Sequence, residues 1–321
     1  MKKYDVVALG ELLIDFTQNG TSAQGNPLFE ANPGGAPCNV LAMLKKLGNR
    51  TGFIGKVGKD GFGRQLKDVL LETGIGTEGL CMDDTVHTTL AIVQNKKDGD
   101  RDFSFYRKPG ADMMLTVDEL NQELLKNCRI FHFGSLSMTD EGVRNATKRA
   151  IEMAKEAGAW ISFDPNLRPP LWESLDVARE QICYGLKQCQ ILKISDDEIT
   201  WFTGKNDYGE AVAMLQEEYH IPLILVSLGK EGSLAYCGKV FAFVKSFLQA
   251  GTIETTGAGD TFMGCILHQV LQKGYENLSE ADLTEMLTFA NAAASIVTTR
   301  RGALRVMPSR EEIEKLKGRR R

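Results

Sequence analysis

No stretch of this 321-residue chain approaches the ~20 consecutive apolar residues that a membrane-spanning helix needs. The start, Met1-Lys2-Lys3-Tyr4-Asp5, lacks the apolar core of a secretory signal, because Asp5 and Glu11 interrupt it. Cysteine is sparse and unpatterned: Cys38, Cys81, Cys128, Cys183, Cys189, Cys237 and Cys265 are odd in number and contain no C-x-x-C pair. Neither a disulfide framework nor a zinc site is indicated, and reduced thiols in the cytoplasm are the expectation. The four histidines, His87, His132, His220 and His268, fall at no metal-ligand spacing and read as structural or surface groups. Basic charge is not in excess either. With 38 Lys and Arg against 42 Asp and Glu, the net charge of -4 gives no reason to expect nucleic acid or an anionic membrane as a partner. Arg319-Arg320-Arg321 reads as a short solvated tail.

Three catalytic signatures are also missing. There is no G-x-S-x-G nucleophile elbow. The turn after the first apolar run reads "LGELLID" rather than G-x-G-x-x-G, so a nicotinamide-dependent dehydrogenase loses its main support. Glycine clusters occur, but none has the spacing and terminal lysine of a Walker-type phosphate loop.

What remains is an ordinary globular composition, 43% hydrophobic and 25% charged, long enough to bury a substantial core. Short continuous apolar runs at 4–9, 51–57, 129–133, 160–163, 190–194 and 223–228 read as buried strands. Helical patterns at 38–47, 63–73, 140–157, 175–187 and 208–219 alternate with them. That rhythm predicts an α/β fold with a mainly parallel sheet covered on both faces. Two regions break it: a polar stretch at 16–32, and two strand-like runs within 88–107 separated by "KKDGD", where Asp98-Gly99 is a hairpin signal. They predict a small β appendage. A further hairpin-like pair, "GSLAYCG" and "KVFAFV", precedes helical patterns at 258–273, 279–299 and 309–317.

The most informative cluster is "TTGAGDTF", residues 255–262. If a helix begins near Ala258, the amides of Gly257, Ala258 and Gly259 are among its unpaired first donors and form a cradle for negative charge. Asp260 then lies in the first turn, placed to take the proton of an attacking alcohol while the amides stabilise a transferring phosphoryl group. In isolation the motif also fits a structural reading, with Asp260 complementing the helix terminus and Thr255 or Thr256 capping it. "NPGGAPCN", residues 32–39, is either a ligand-approach loop carrying Asn39 or a strand-to-helix turn with Pro37 early in the helix. "GKVGKDGFG", residues 55–63, reads as a turn with solvated lysines. "SFDPNLRPPLW" ends a strand with Asp164, Asn166 and Arg168, where α/β folds place ligands. "ISDDEI" fits an acidic helix N-terminus capped by Ser195.

Together, "GGAPCNVLAMLKKLG" and "ETTGAGDTFMG" make the chain resemble the ribokinase-like sugar kinases, the phosphofructokinase B family, over nearly its whole length. The resemblance implies one ribokinase-like domain, 1–321, with a mostly parallel central sheet between helical layers and a small β-sheet lid at about 12–33 and 87–108. It implies ATP and Mg²⁺, with Asp260 as general base and Gly257, Ala258 and Gly259 as anion hole. Sugar contacts are implied at Asp15, Gly34, Gly35 and Asn39, with Arg107 and Arg168 beside the sugar or the phosphate. Nucleotide contacts are implied at Lys193, Ser227, Gly229, Gly232, Gly259 and Asn291, and in "GALRV" near the end. Glu198 matches the acid of the family's N-x-x-E element, linked to Mg²⁺, but Ser195 replaces its asparagine. Glu254 stands where the usual monovalent-cation aspartate would be, next to Thr256, so potassium is a weaker expectation. "GELLIDF", "GGAPCN" and "FDPNLRPPLW" are most similar to fructokinases, with 2-keto-3-deoxygluconate kinase next. A catalytically silent nucleotide- or sugar-binding regulator is the alternative from another class. The lid's exposed edges admit a homodimer.

Overall fold

The computed structural model describes residues 2–95, 101–249 and 251–318. Thirteen strands are present among them. The first seven are β1 (Tyr4–Leu9), β2 (Leu13–Thr21), β3 (Pro27–Gly34), β4 (Thr51–Gly58), β5 (Gly76–Asp83), β6 (Leu90–Asn95) and β7 (Arg101–Tyr106). Then come β8 (Cys128–Gly134), β9 (Trp160–Asp164), β10 (Ile191–Ser195), β11 (Leu223–Ser227), β12 (Ser233–Cys237) and β13 (Val240–Val244). The helices are α1 (Ala36–Lys46), α2 (Gly61–Thr73), α3 (Gln122–Lys126), α4 (Glu141–Glu156) and α5 (Leu175–Gln188). They continue as α6 (Asp196–Thr203), α7 (Tyr208–Tyr219), α8 (Ala258–Lys273), α9 (Glu280–Val297) and α10 (Arg310–Gly318).

Nine strands form one sheet in the order β13-β12-β11-β10-β9-β8-β1-β4-β5. From β11 through β5 every pairing is parallel, and β12 and β13 close one edge as an antiparallel hairpin. The continuous apolar runs follow from burial on both faces. In β1, Val6 and Ala8 pack among α1, α8 and α9, while Val7 and Leu9 pack among α4 and α5 on the other side. Among the described residues no helix is long and apolar enough to cross a membrane.

The two segments outside the rhythm form a second, four-stranded sheet, order β3-β2-β6-β7. β2 pairs antiparallel with β3 and parallel with β6, and β6 pairs antiparallel with β7. The stretch at 16–32, polar in sequence, is therefore strand at 16–21 and 27–32, joined by a turn at 22–26. The Asp98-Gly99 turn lies outside the described residues. β2 leaves the end of β1 after only three residues, which holds this sheet beside the carboxyl ends of the parallel strands, where such folds bind ligands.

One expectation needs correction, and another, the helix cap at Ser195, is met. Lys56 is not solvated: it is 8% exposed, lies within β4, and pairs with Asp83 at 3.0 Å and Glu119 at 2.8 Å. The "ISDDEI" run opens α6, where Ser195 accepts from the Glu198 amide at 3.3 Å and Glu198 accepts from the Ser195 amide at 2.8 Å. That reciprocal capping box gives the serine a local role at the position of the family's asparagine.

Candidate active site

The α8 N-terminus is built by backbone, not by a capping side chain. Gly257 is the N-cap at φ 75°, in the left-handed region that favours glycine, and neither Thr255 nor Thr256 caps it. A Cβ on Gly257 would also lie 2.5 Å from that of Ala303. The Ala258 N–H closes the turn onto the Thr255 carbonyl at 3.2 Å. Among the described residues, the Gly257 and Gly259 N–H groups are given to no protein acceptor and neither is that of Asp260, so Ala258 is the one expected cradle amide already engaged. A Cβ on Gly259 would lie 3.3 Å from Lys193 Nζ, which places a cation beside the cradle.

Asp260 follows, its carboxylate facing a cavity of about 250 Å³. Asn39 Nδ2 donates to Asp260 Oδ2 at 2.8 Å. Burial pushes the carboxyl up to about 6, with the Asp164 carboxylate adding to the rise. The Asn39 hydrogen bond and the charges of Lys193 and Arg168 oppose it. Lys193, on β10, is 6% exposed and pairs with Asp164 at 3.0 Å. Burial works to lower its pKa, but Asp164, Glu198 and Asp260 outweigh that and hold it above the usual lysine range.

The same cavity is lined by Asp15, Gly35, Asn39, Arg168, Thr256 and Glu11. Asp15 is pushed up to about 7 by burial and by the carboxylates of Glu254 and Asp260, against the pull of Arg168. A Cβ on Gly34 would displace Asp15 Oδ2, and Gly35 is required because a Cβ would overlap the Glu11 carbonyl. Glu11 lies in the turn between β1 and β2 and is 4% exposed; sequence reading marked it only as a charge interrupting an apolar run. Nothing local to residue 11 announces that its partner is the Ala36 amide, 25 residues on.

Arg107 is placed elsewhere. Its guanidinium is buried and donates to Asp112 at 2.7 Å, Thr139 Oγ1 at 2.9 Å and the Leu136 carbonyl at 2.9 Å. It does not line the Asp260 cavity but a neighbouring one of about 800 Å³, and Phe105 borders both. Glu198 is committed to backbone, accepting from the Leu167 N–H at 2.6 Å as well as from Ser195. Glu254 is buried, with Oε2 receiving the Gly302 N–H at 3.4 Å.

A second cavity of about 360 Å³ lies on the other side of the loop, lined by Ser227, Gly229, Gly232, Asn291 and Gly259. Thr255 and Gly259 border both cavities, so the two meet at the anion cradle. Asn291 accepts from Ser233 Oγ at 2.9 Å and donates to the Val244 carbonyl at 2.9 Å, tying α9 to the β12–β13 hairpin. Lys193 belongs to the Asp260 cavity, and "GALRV" lines neither.

Known proteins resemble the chain over nearly its whole length. Fructokinase-1 of Zea mays is 42% identical over 313 residues, covering 97% of each chain, and fructokinase-2 of Solanum lycopersicum is 41% identical over 309 residues, 96% of this chain and 94% of its own. The structure of a fructokinase from Xylella fastidiosa with bound ATP superposes at a TM-score of 0.88 and 29% identity, covering 100% and 99% of the two chains. That of a Vibrio cholerae O395 fructokinase with fructose, ADP and calcium ion does so at 0.86 and 28%, covering 98% and 99%. Residues 3–310 match the family described as pfkB family carbohydrate kinase, and on these likenesses the chain belongs to it.

Proposed function

We propose that the chain is an ATP-dependent fructokinase that phosphorylates the C6 hydroxyl of D-fructose. The observation that carries the proposal is the junction itself. A carboxylate of raised pKa stands where a sugar-sized cavity meets a nucleotide-sized one, beside two open amides and a buried lysine. Asp260 accepts the hydroxyl proton; the Gly257 and Gly259 amides and Lys193 stabilise charge on the phosphoryl group in flight. The second sheet acts as a lid that excludes water, within a single kinase domain.

Acidity in the sugar cavity favours a neutral ketose. Glu11, Asp15 and Asp260 line it against one arginine, Arg168, with Lys193 held by Asp164. A 2-keto-3-deoxygluconate carboxylate would meet mostly like charge there, and Arg107 is already engaged with Asp112.

The described residues contain no cluster of three or more His, Cys, Asp or Glu able to hold a metal, which fits Mg²⁺ held chiefly by nucleotide phosphates and water. Glu198 would reach it through water, since both its oxygens hold amides. Bound there, the metal supplies neutralising charge to the phosphates. Backbone carbonyls around Glu254 and Thr256 would take potassium, and the free edges of the lid sheet would pair two copies into a dimer.

The test is ADP release over fructose, 2-keto-3-deoxygluconate, ribose, tagatose and adenosine. At least a tenfold preference for fructose, ~1.4 kcal/mol in the transition state, is expected. A keto-acid preference would overturn the substrate, and no release with any sugar would favour a silent binding protein.

A further inference from the structure

Resting on the assignment of Asp260 as base, we infer that Glu11 is a positioning residue for phosphoryl transfer, acting on Asp260 through the first turn of α1. The N-cap of α1 is Gly35, which has no side chain to satisfy the helix's first amides. Glu11 does it from a distance: its Oε1 accepts the Ala36 N–H at 2.8 Å. Gly35, at φ 123°, packs so near the Glu11 carbonyl that an added Cβ would overlap it, which leaves the turn little room to shift. Gly35 then accepts the Asn39 N–H at 3.0 Å, closing the first helical turn. From that turn the Asn39 amide donates to Asp260 at 2.8 Å. Glu11 and Asp260 are thus joined by three hydrogen bonds and one turn of helix.

Packing leaves this linkage little slack. Between Glu11 and Asp260 lies a void of only about 10 Å³, bordered also by Asp164, His132 and Ser135. The charged and titratable groups around Glu11 are Asp112 and Arg107 from the segment after β7, Cys38 from α1, His132 from β8, Asp164 from β9 and Asp260 from α8, and across the sugar cavity Asp15 from β2, Lys193 from β10 and Arg168. Asn39 matters electrostatically because its hydrogen bond favours the ionised form of Asp260 and offsets part of the effect of burial. If Glu11 no longer holds the turn, that bond loosens, and Asp260 ionises only at higher pH.

The test is the pH profile of kcat with saturating fructose and ATP. Glu11→Ala is expected to move the acidic limb up by about one unit and to lower kcat about tenfold below neutrality, with the KM for ATP unchanged. Asn39→Ala should move the limb the same way, and the double variant should add nothing to Asn39→Ala. Glu11→Gln retains an oxygen for the Ala36 N–H and should leave the limb in place. The proposal is overturned by an unmoved limb in Glu11→Ala, by additive effects in the double variant, or by a shift in Glu11→Gln equal to that of Ala. Should Glu11→Ala not fold, a moved limb in Glu11→Gln suffices to sink it. Asp260→Asn separates the two readings: if it keeps more than about a tenth of kcat, the base assignment fails whatever Glu11 does.

Discussion

Replacing Asp15 by asparagine should make the ligand-free protein more stable while removing its grip on the sugar. Burial pushes this carboxyl from 3.8 to about 7, with the Glu254 and Asp260 carboxylates adding to the rise and Arg168 opposing it. The difference is about three units, and at ~1.36 kcal/mol per unit the ionised group costs at most about 4 kcal/mol in the folded state. The cavity admits water to Asp15, so about half that, ~2 kcal/mol, is the working figure. For a chain of this length it corresponds to a rise in Tm of about 3 °C. The sign follows from linkage. A carboxyl whose folded pKa is raised contributes its full stability below the unfolded value near 4, and loses it as pH rises through about 7. Asparagine carries no such dependence. The two proteins should therefore melt together near pH 4, and the variant should melt higher at about pH 8. The assay is a pair of thermal melts without ligand, together with the KM for fructose, which should rise at least about tenfold as a charge-assisted hydrogen bond is lost. A variant that melts at or below the wild type at the higher pH, or gains equally at both, would refute the electrostatic reading of this cavity.

Three further outcomes test the rest of the site. Asp260→Asn should lower kcat by ~10²–10⁴-fold with ATP binding retained, and the wild-type rate should fall about tenfold per unit below about pH 6, where the base becomes protonated. Lys193→Met should lose both rate and ~3–5 kcal/mol of stability, because Asp164 is left buried and unpaired; adding Asp164→Asn should return the stability, read by denaturant melts, but not kcat. Gly34→Ala, whose new Cβ would displace the Asp15 carboxylate, should raise the fructose KM roughly tenfold or more and leave the ATP KM unchanged in steady-state kinetics.

The strand-helix rhythm was legible because continuous apolar runs and 3.6-residue periodicity are local properties. β1, α7 and α8 begin and end where the pattern does. β5 was not legible: "GTEGLCMD" carries two glycines and two acids, and it is a strand only because β4 offers it an edge. Lys56 looked solvated for the same reason, since Asp83 and Glu119 reach it from other elements. In the site, glycines were readable as close-approach positions, and overlap with Asp15 and with the Glu11 carbonyl gives the reason at Gly34 and Gly35. Which polar side chains face the cavity was not, because Arg107 meets Thr139 and Leu136, and Glu11 meets Ala36, only through tertiary contact.

The lysine missing from "TTGAGDTF" illustrates why chemistry here is divided among elements. A lysine in the first turn of α8 would oppose the positive end of the helix dipole. It would also sit beside Asp260 and favour its ionised form, making it a weaker base. Lys193 instead comes from β10 and is paired with Asp164, whose own charge acts on Asp260 in the opposite direction. The lysine and its partner thus deliver a cation to the cradle while leaving Asp260 near 6, ionised at neutral pH yet still able to draw a proton. Under the proposed mechanism, a base and an anion site can share one helical turn because the cation that would serve the phosphate, Lys193, is anchored to a different acid.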